Sequence, residues 1–266
     1  MDLQVLETQD RGWLHQILRP DPATHAYLLG DLDEPFFSQC RWLTLTQESN
    51  SAILLLYFGL SVPSLQAVGP SSLLPELFEQ YNTEFPQRFH FKLALAELAT
   101  LAEWVTIENH EKMWAMALTK ETLQRPKTTQ TTRLLTLDDA EAILEVYEDY
   151  PGHFFELSQL ETNLYMGAWE GDTLVGVAGT HVFNLNERIA VPGNIVTRKN
   201  ARGRGVAKAS VGALCQELFE RGCDDVVLHV VQENHAAIAC YKALGFSIHV
   251  PLVQGFAHVS AEGTCS

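Results

Sequence analysis

Apolar residues recur along this chain with two periods, about 3.6 and 2 residues, that trade places from one end to the other and predict a mixed α/β protein. The order is easiest to follow in the second half. Arg133 to Leu137 reads as a strand, and Asp138 caps a helix to about Tyr147. Pro151-Gly152 interrupts the pattern, and Phe154 to Asn163 reads as a second helix. Strands follow over Tyr165 to Trp169 and Thr173 to Phe183, joined by the hairpin signal Glu170-Gly171-Asp172. A further strand from about Arg188 to Thr197 carries Pro192-Gly193 inside it, which predicts a bend in its middle. Ala207, Val211, Leu214 and Leu218 then step by four, three and four, the spacing of a helix, which closes at Gly222. Val226 to Val231 is a short apolar strand, Asn234 caps a helix over His235 to Leu244, and Phe246 opens a last strand after Gly245.

The first half gives helical periods near Trp13 to Leu18 and Thr24 to Leu32, and a helix over Leu73 to Tyr81. Strands are predicted near Trp42 to Thr46, Ile53 to Phe58, Ser64 to Val68, Trp104 to Glu108 and Met113 to Leu118. A polar segment with a proline, Lys120 to Thr132, separates the halves. The expected organisation is an α+β domain over residues 1–128 and a second domain over 129–266, and a length of 266 residues suits two domains.

Composition narrows the function classes. With 46% hydrophobic and 19% charged residues there is ample core material and no case for disorder. The formal net charge of -15 argues against a general nucleic-acid surface. The longest strongly apolar run, about Ala52 to Val62, is far short of the ~20 residues of a membrane helix, and the acidic N-terminus lacks the basic start of a signal peptide. A cytosolic protein is expected. Five cysteines without CxxC spacing indicate neither a disulfide framework nor a metal site.

Against that acidic background, the segment Thr197 to Lys208 holds five of the eighteen basic residues (Arg198, Lys199, Arg202, Arg204 and Lys208) and no acid. It joins a strand to a helix, and Gly203 and Gly205 let backbone amides turn toward a ligand at the helix start, the ingredients of a phosphate site. The run is neither a P-loop nor a dinucleotide fingerprint, since GRGVAK fits neither template. The remaining pattern is RxxGxA, from Arg202 through Gly205 to Ala207.

With that loop, and with Asn234, Ala237, Tyr241 and Gly245-Phe246 in NHAAIACYKALGF, the chain resembles the GNAT superfamily of acyl-CoA-dependent N-acyltransferases. The resemblance covers Arg133 to about His258. It implies the GNAT acyltransferase fold for the C-terminal domain, with acetyl-CoA as the donor and a primary amine as the acceptor. It further implies that Arg202, Gly203, Arg204, Gly205, Val206 and Ala207 hold the pyrophosphate, that the backbone of Ile195, Val196 and Thr197 meets the pantetheine and the thioester carbonyl, and that Asn234 touches the pantetheine arm. Some relatives, including glycine N-acyltransferase-like proteins, carry an N-terminal domain of similar fold that has lost its cofactor loop. Ser64 to Tyr81, with no basic glycine loop, suits that description.

Tyr241 is the expected general acid, seven residues and so about two helical turns beyond Asn234. The base is less defined. The family often uses a glutamate on the bent strand, but this strand offers Pro192, Gly193 and Asn194 at its centre and Glu187 only at its end. His181 on the neighbouring strand is the first candidate, with Glu156 and His153 as alternatives and His229 behind them. No cysteine pairs with a histidine and an acid in an activated spacing, which points to direct transfer without an acyl-enzyme. A non-catalytic acyl-CoA-binding or sensing module is the alternative reading.

Overall fold

The computed structural model describes residues 5–151 and 155–259. In chain order it contains β1 (Leu6–Thr8), α1 (Arg11–Leu18), α2 (Ala26–Gly30), β2 (Cys40–Gln47), β3 (Asn50–Tyr57), β4 (Ser64–Val68), α3 (Leu74–Tyr81), β5 (Arg88–Ala94), α4 (Leu98–Ala102) and β6 (Thr106–Leu118). There follow β7 (Thr131–Leu134), α5 (Ala140–Tyr147), α6 (Gln159–Thr162), β8 (Tyr165–Glu170), β9 (Thr173–Asn184), β10 (Ile189–Thr197), α7 (Val206–Arg221), β11 (Asp225–Val231), α8 (His235–Ala243) and β12 (Ser247–His258). The mixed α/β class expected from periodicity is the class observed. No helix among the described residues is long and apolar enough to cross a membrane.

The chain divides into two compact units. The first comprises the stretch up to Asp21, Asp31–Trp114 and the stretch from Val250 onward; the second comprises Pro22–Gly30 and Ala115–His249. A cut near residue 128 does not reproduce that division, because short segments from either side of it change units.

Each unit repeats one strand topology. In the first, β1, β2, β3 and β4 pair antiparallel in sequence, β4 pairs parallel with β5, and β12 adds antiparallel to β5. In the second, β7, β8, β9 and β10 pair antiparallel and β10 pairs parallel with β11. A parallel step needs a crossover, and a helix supplies it each time: α3 between β4 and β5, α7 between β10 and β11. In the hairpin between β8 and β9, Glu170 faces Thr173 and Gly171 sits at φ 57°, a conformation glycine takes without penalty.

Some expected elements differ. The strands predicted at Trp104 to Glu108 and Met113 to Leu118 are one strand, β6. Of the helix expected over Phe154 to Asn163, Phe154 lies outside the described residues and, from Phe155 on, only Gln159–Thr162 is helical, Phe155 packing instead in a core cluster with Tyr147 and Tyr165. β5 carries no turn punctuation but alternates. Phe89, Phe91 and Leu93 enter the core that Leu77 and Phe78 of α3 close, while His90 and Lys92 take the other face, opposite Ser64 and Gln66.

On that second face Lys92 and Asp31 act on each other. Withdrawal from water pushes the ammonium of Lys92 down to about 7 and the carboxyl of Asp31 up to about 7, and the charge of each opposes the other's shift. Lys92→Met removes the charge that opposes the shift of Asp31, so the Asp31 carboxyl should titrate higher still and the protein should lose stability in urea denaturation. Adding Asp31→Asn should recover most of that loss, whereas additive losses would show that the two groups do not compensate each other.

Candidate functional site

The site is built on a break in the second unit's sheet. β10 and β11 pair only at Ile189 with Asp225 and Ala190 with Val226, and the ladder between them ends there. Against β9, β10 is doubly irregular. Val191 faces Val182 but Pro192 faces Thr180, so His181 is an extra residue on β9. Gly193 faces Gly179 and Val196 faces Val177, so the compensating extra residue lies on β10 at Asn194 or Ile195. The expected bend falls here for a physical reason: Pro192 has no amide proton to give a ladder.

Asn194 is the hinge of the bend. Its φ of 51° is a left-handed conformation that asparagine tolerates better than other side-chain-bearing residues. Three hydrogen bonds hold it: the Tyr147 hydroxyl donates to the Asn194 backbone carbonyl at 2.6 Å, and the Asn194 side-chain amide donates to Tyr165 Oη at 2.9 Å and to Gln159 Oε1 at 3.1 Å. Tyr165 in turn donates to Gln159 Oε1 at 2.6 Å. Phe155 stacks on Tyr147 with ring centroids 4.7 Å apart and meets Tyr165 edge-on, fixing both phenols from the apolar side. Burial pushes the Tyr165 phenol up to about 12 and the Tyr147 phenol higher still, so both remain neutral donors through the physiological range.

At Gly193 the bend is open to a neighbour. A Cβ there would come within 2.4 Å of His181 Cε1 and Nε2, so the glycine leaves room for the imidazole to lie against the strand. His181 Nδ1 is 2.9 Å from the hydroxyl of Tyr27 on α2, and the Tyr27 ring lies 5.2 Å from that of His229 on β11. Among the other candidate bases, Glu156 is exposed before α6 and Glu187 sits at the β9–β10 turn, its amide donating to Asn184. His153 lies outside the described residues.

The basic loop follows β10 directly. Gly203 (φ 78°) and Gly205 (φ 83°) both take conformations natural only to glycine, and a Cβ on either would meet nothing within 4 Å. Gly205 is the N-cap of α7 and gives no side-chain acceptor, so the first-turn amides of Val206, Ala207 and Lys208 are left to whatever lies in front of them. The charges divide into two sets. Arg198, Lys199 and Arg204 pair with Glu145, Asp149 and Glu170, whereas neither Arg202 nor Lys208 makes an ion pair among the described residues. The Arg204–Glu170 pair is at the surface, where an ion pair is worth ~0 to 1 kcal/mol and is readily exchanged. Val196 and Val206 bury their side chains, so only their backbone can face a ligand.

Beyond α7, Asn234 caps α8, its side chain accepting from the amide of Ala237 at 3.1 Å. Tyr241 is buried on α8 against Phe246, and burial holds its phenol far above the ordinary range. Burial likewise raises every thiol of this unit, Cys223 to about 11, which is the reverse of nucleophile activation. Among the described residues no group of three or more His, Cys, Asp or Glu could hold a metal.

The corresponding loop of the first unit is filled. A Cβ on Gly69, which follows β4, would lie 2.6 Å from Ala52 Cα, and Ser71 donates to Glu97 at 2.6 Å. No basic residue stands between Gly69 and Leu74.

Sequence reasoning found the loop but missed Tyr147, Tyr165, Gln159 and Tyr27. The positive φ of Asn194 is consistent with the Pro-Gly-Asn run, whereas Tyr27 reaches His181 across 154 residues and has no local signature.

Residues 129–246 match the model of the acetyltransferase (GNAT) family. A stretch of 74 residues is 35% identical to N-alpha-acetyltransferase MAK3 of Arabidopsis thaliana, covering 28% of this chain and only 37% of that protein. Among solved structures, a Drosophila protein matches with a TM-score of 0.72 at 15% identity over 97% of this chain and 98% of its own. A GCN5-related N-acetyltransferase from Kribbella flavida matches at 0.62 and 15% identity, over 93% and 97%. A tandem GNAT protein from the clavulanic acid biosynthesis pathway matches at 0.57 and 14% identity, over 99% and 100%. At such identities the structures speak for the fold.

If the bend depends on Asn194, Asn194→Ala should lose about 2 to 3 kcal/mol, from the left-handed backbone and the lost hydrogen bonds together. Asn194→Gly should lose less, because glycine takes the positive φ freely. Equal losses in chemical denaturation would mean that φ carries no strain there.

Proposed function

Residues 129–246 belong to the GNAT family of acetyltransferases, and from that premise we propose that the protein transfers an acetyl or other short acyl group from acyl-CoA to a primary amine by direct attack. The observation that carries the proposal is the open glycine loop: two left-handed glycines with clear space before them, a helix start with unclaimed amides, and Arg202 and Lys208 without carboxylate partners among the described residues. Such a loop suits a pyrophosphate, with Arg202, Gly203, Gly205, Val206 and Ala207 as its holders and Arg204 joining once it leaves Glu170. Acyl-CoA contributes an activated thioester. The half of β10 that has left β11, Ile195 to Thr197, offers backbone groups on that side to the pantetheine and the carbonyl, and Asn234 combines its capping role with contact to the arm.

In this reading His181 takes a proton from the amine, the amide bond forms as the carbon–sulfur bond breaks, and Tyr241 donates toward the departing sulfur. Burial keeps Tyr241 protonated at neutral pH and also makes full proton release costly, so its contribution is a strong hydrogen bond that shortens into transfer only as thiolate charge develops. The raised thiols oppose a covalent acyl-enzyme. The setting is cytosolic and the acceptor a small molecule or peptide; neither nucleic acid nor membrane is a partner. The first unit is a GNAT-like repeat without a cofactor loop.

Release of CoA thiol across a panel of amines tests the reading. Wild-type protein should turn over with at least one primary amine, and Gly205→Asp, which sets a charge against the phosphates, should abolish acetyl-CoA binding by calorimetry while the protein stays folded. Tyr241→Phe should keep acetyl-CoA affinity and lose turnover by ~10² to 10⁴. Tight binding with no turnover on any amine would leave a non-catalytic acyl-CoA-binding module.

A further inference from the structure

The β9 bulge has one consequence for the chemistry of its extra residue. In a regular strand, residue 181 would alternate between the sheet's two faces with its neighbours; as the unmatched residue between Val182 and Thr180, His181 is turned toward Gly193. Its Nε2 edge is over the bend of β10, and its Nδ1 is 2.9 Å from Tyr27 Oη. The two ring nitrogens therefore face different neighbours, and the proton between Tyr27 and Nδ1 decides what Nε2 can do. If Tyr27 donated to Nδ1, the neutral ring would carry its proton on Nε2, and no proton could be taken up over the bend.

We propose that Tyr27 is a positioning residue for the acyl-transfer reaction: it accepts the Nδ1–H of His181, fixes the tautomer that leaves Nε2 unprotonated over Gly193, and steadies the imidazolium that forms when Nε2 takes the amine proton. The proposal rests on the acyl-transfer reading, and it assigns a role to α2, a helix far from the GNAT motifs in sequence. Two further features support it. Tyr27 is itself held, its ring against His229 of β11, so its hydroxyl has a fixed place. The end of α2 is docked on β9 through the Asn184 amide, which donates to the carbonyls of Leu29 and Gly30 at 3.4 and 3.3 Å, and through Gly30, where a Cβ would strike Val182 at 2.6 Å. The segment that carries Tyr27 is thus tied to the strand that carries His181.

The experiment has a spectroscopic arm and a kinetic arm. Long-range proton–nitrogen correlation spectra of histidine-labelled wild-type protein, with His181 assigned by His181→Gln, should show Nδ1 protonated and Nε2 bare at a pH where the ring is neutral. Tyr27→Phe should shift that ring toward the Nε2–H form that free imidazole prefers. In the kinetic arm, Tyr27→Phe should lower kcat about tenfold with KM for acetyl-CoA unchanged, and the Tyr27→Phe/His181→Gln double variant should be no slower than His181→Gln alone. An Nε2-protonated His181 in wild-type protein, or multiplicative losses in the double variant, would overturn the assignment. The two arms separate the proposals: protein with no turnover on any amine but an Nδ1-protonated His181 contradicts the acyl-transfer reading while upholding the Tyr27–His181 pair.

Discussion

A single backbone irregularity, the bend of β10 at Pro192 to Ile195, organises the second unit. A strand that stayed paired on both sides would present no free groups to a ligand; this one leaves β11 after Ala190 and is held away by hydrogen bonds to Asn194, the residue within β10 that has positive φ. Those bonds come from Tyr147, Tyr165 and Gln159, and Phe155 packs the two phenols in place. The dependence runs from core to site. Aromatic packing sets the phenols, Tyr147 holds the backbone carbonyl of Asn194 and Tyr165 its side-chain amide, and the bend frees the backbone that leads into the basic loop. The opposing bulge on β9 uses the same irregularity to turn His181 toward the gap.

The two units make a natural comparison, because they share an order of strands and a crossover helix yet differ at the loop. Gly69 is enclosed by the backbone of β3 and followed by a serine engaged with Glu97, while Gly203 and Gly205 face open space beside Arg202 and Lys208. One topology can therefore be kept for packing in one copy and for a ligand in the other, and the distinction resides in a few loop residues.

Much of the second unit was legible in the sequence because its signals are local. Short apolar runs marked β8 and β9, Glu170-Gly171-Asp172 marked their turn, and a stride of four and three marked α7. The loop was legible because charge, glycines and a helix start coincide within twelve residues, Thr197 to Lys208. β5 was missed although Phe89, Phe91 and Leu93 alternate and Pro86 precedes them, since Arg88, His90 and Lys92 made the run look polar. The helix at Phe154 to Asn163 was overextended because Phe155 serves a core cluster from outside the helix. What no reading of one sequence supplies is the long-range contact: the Tyr147 and Gln159 bonds to Asn194, and the Tyr27 bond to His181, join segments with no shared local pattern.

The central claim is that one open loop, and not its filled counterpart, receives an acyl-CoA pyrophosphate. Amide hydrogen exchange followed by mass spectrometry, with and without saturating acetyl-CoA, tests it directly. The account predicts slower exchange in peptides covering residues 195–210 and around the start of α8, with peptides covering residues 64–78 unchanged. Protection at 64–78, or none at 195–210 under saturating acetyl-CoA, would contradict it.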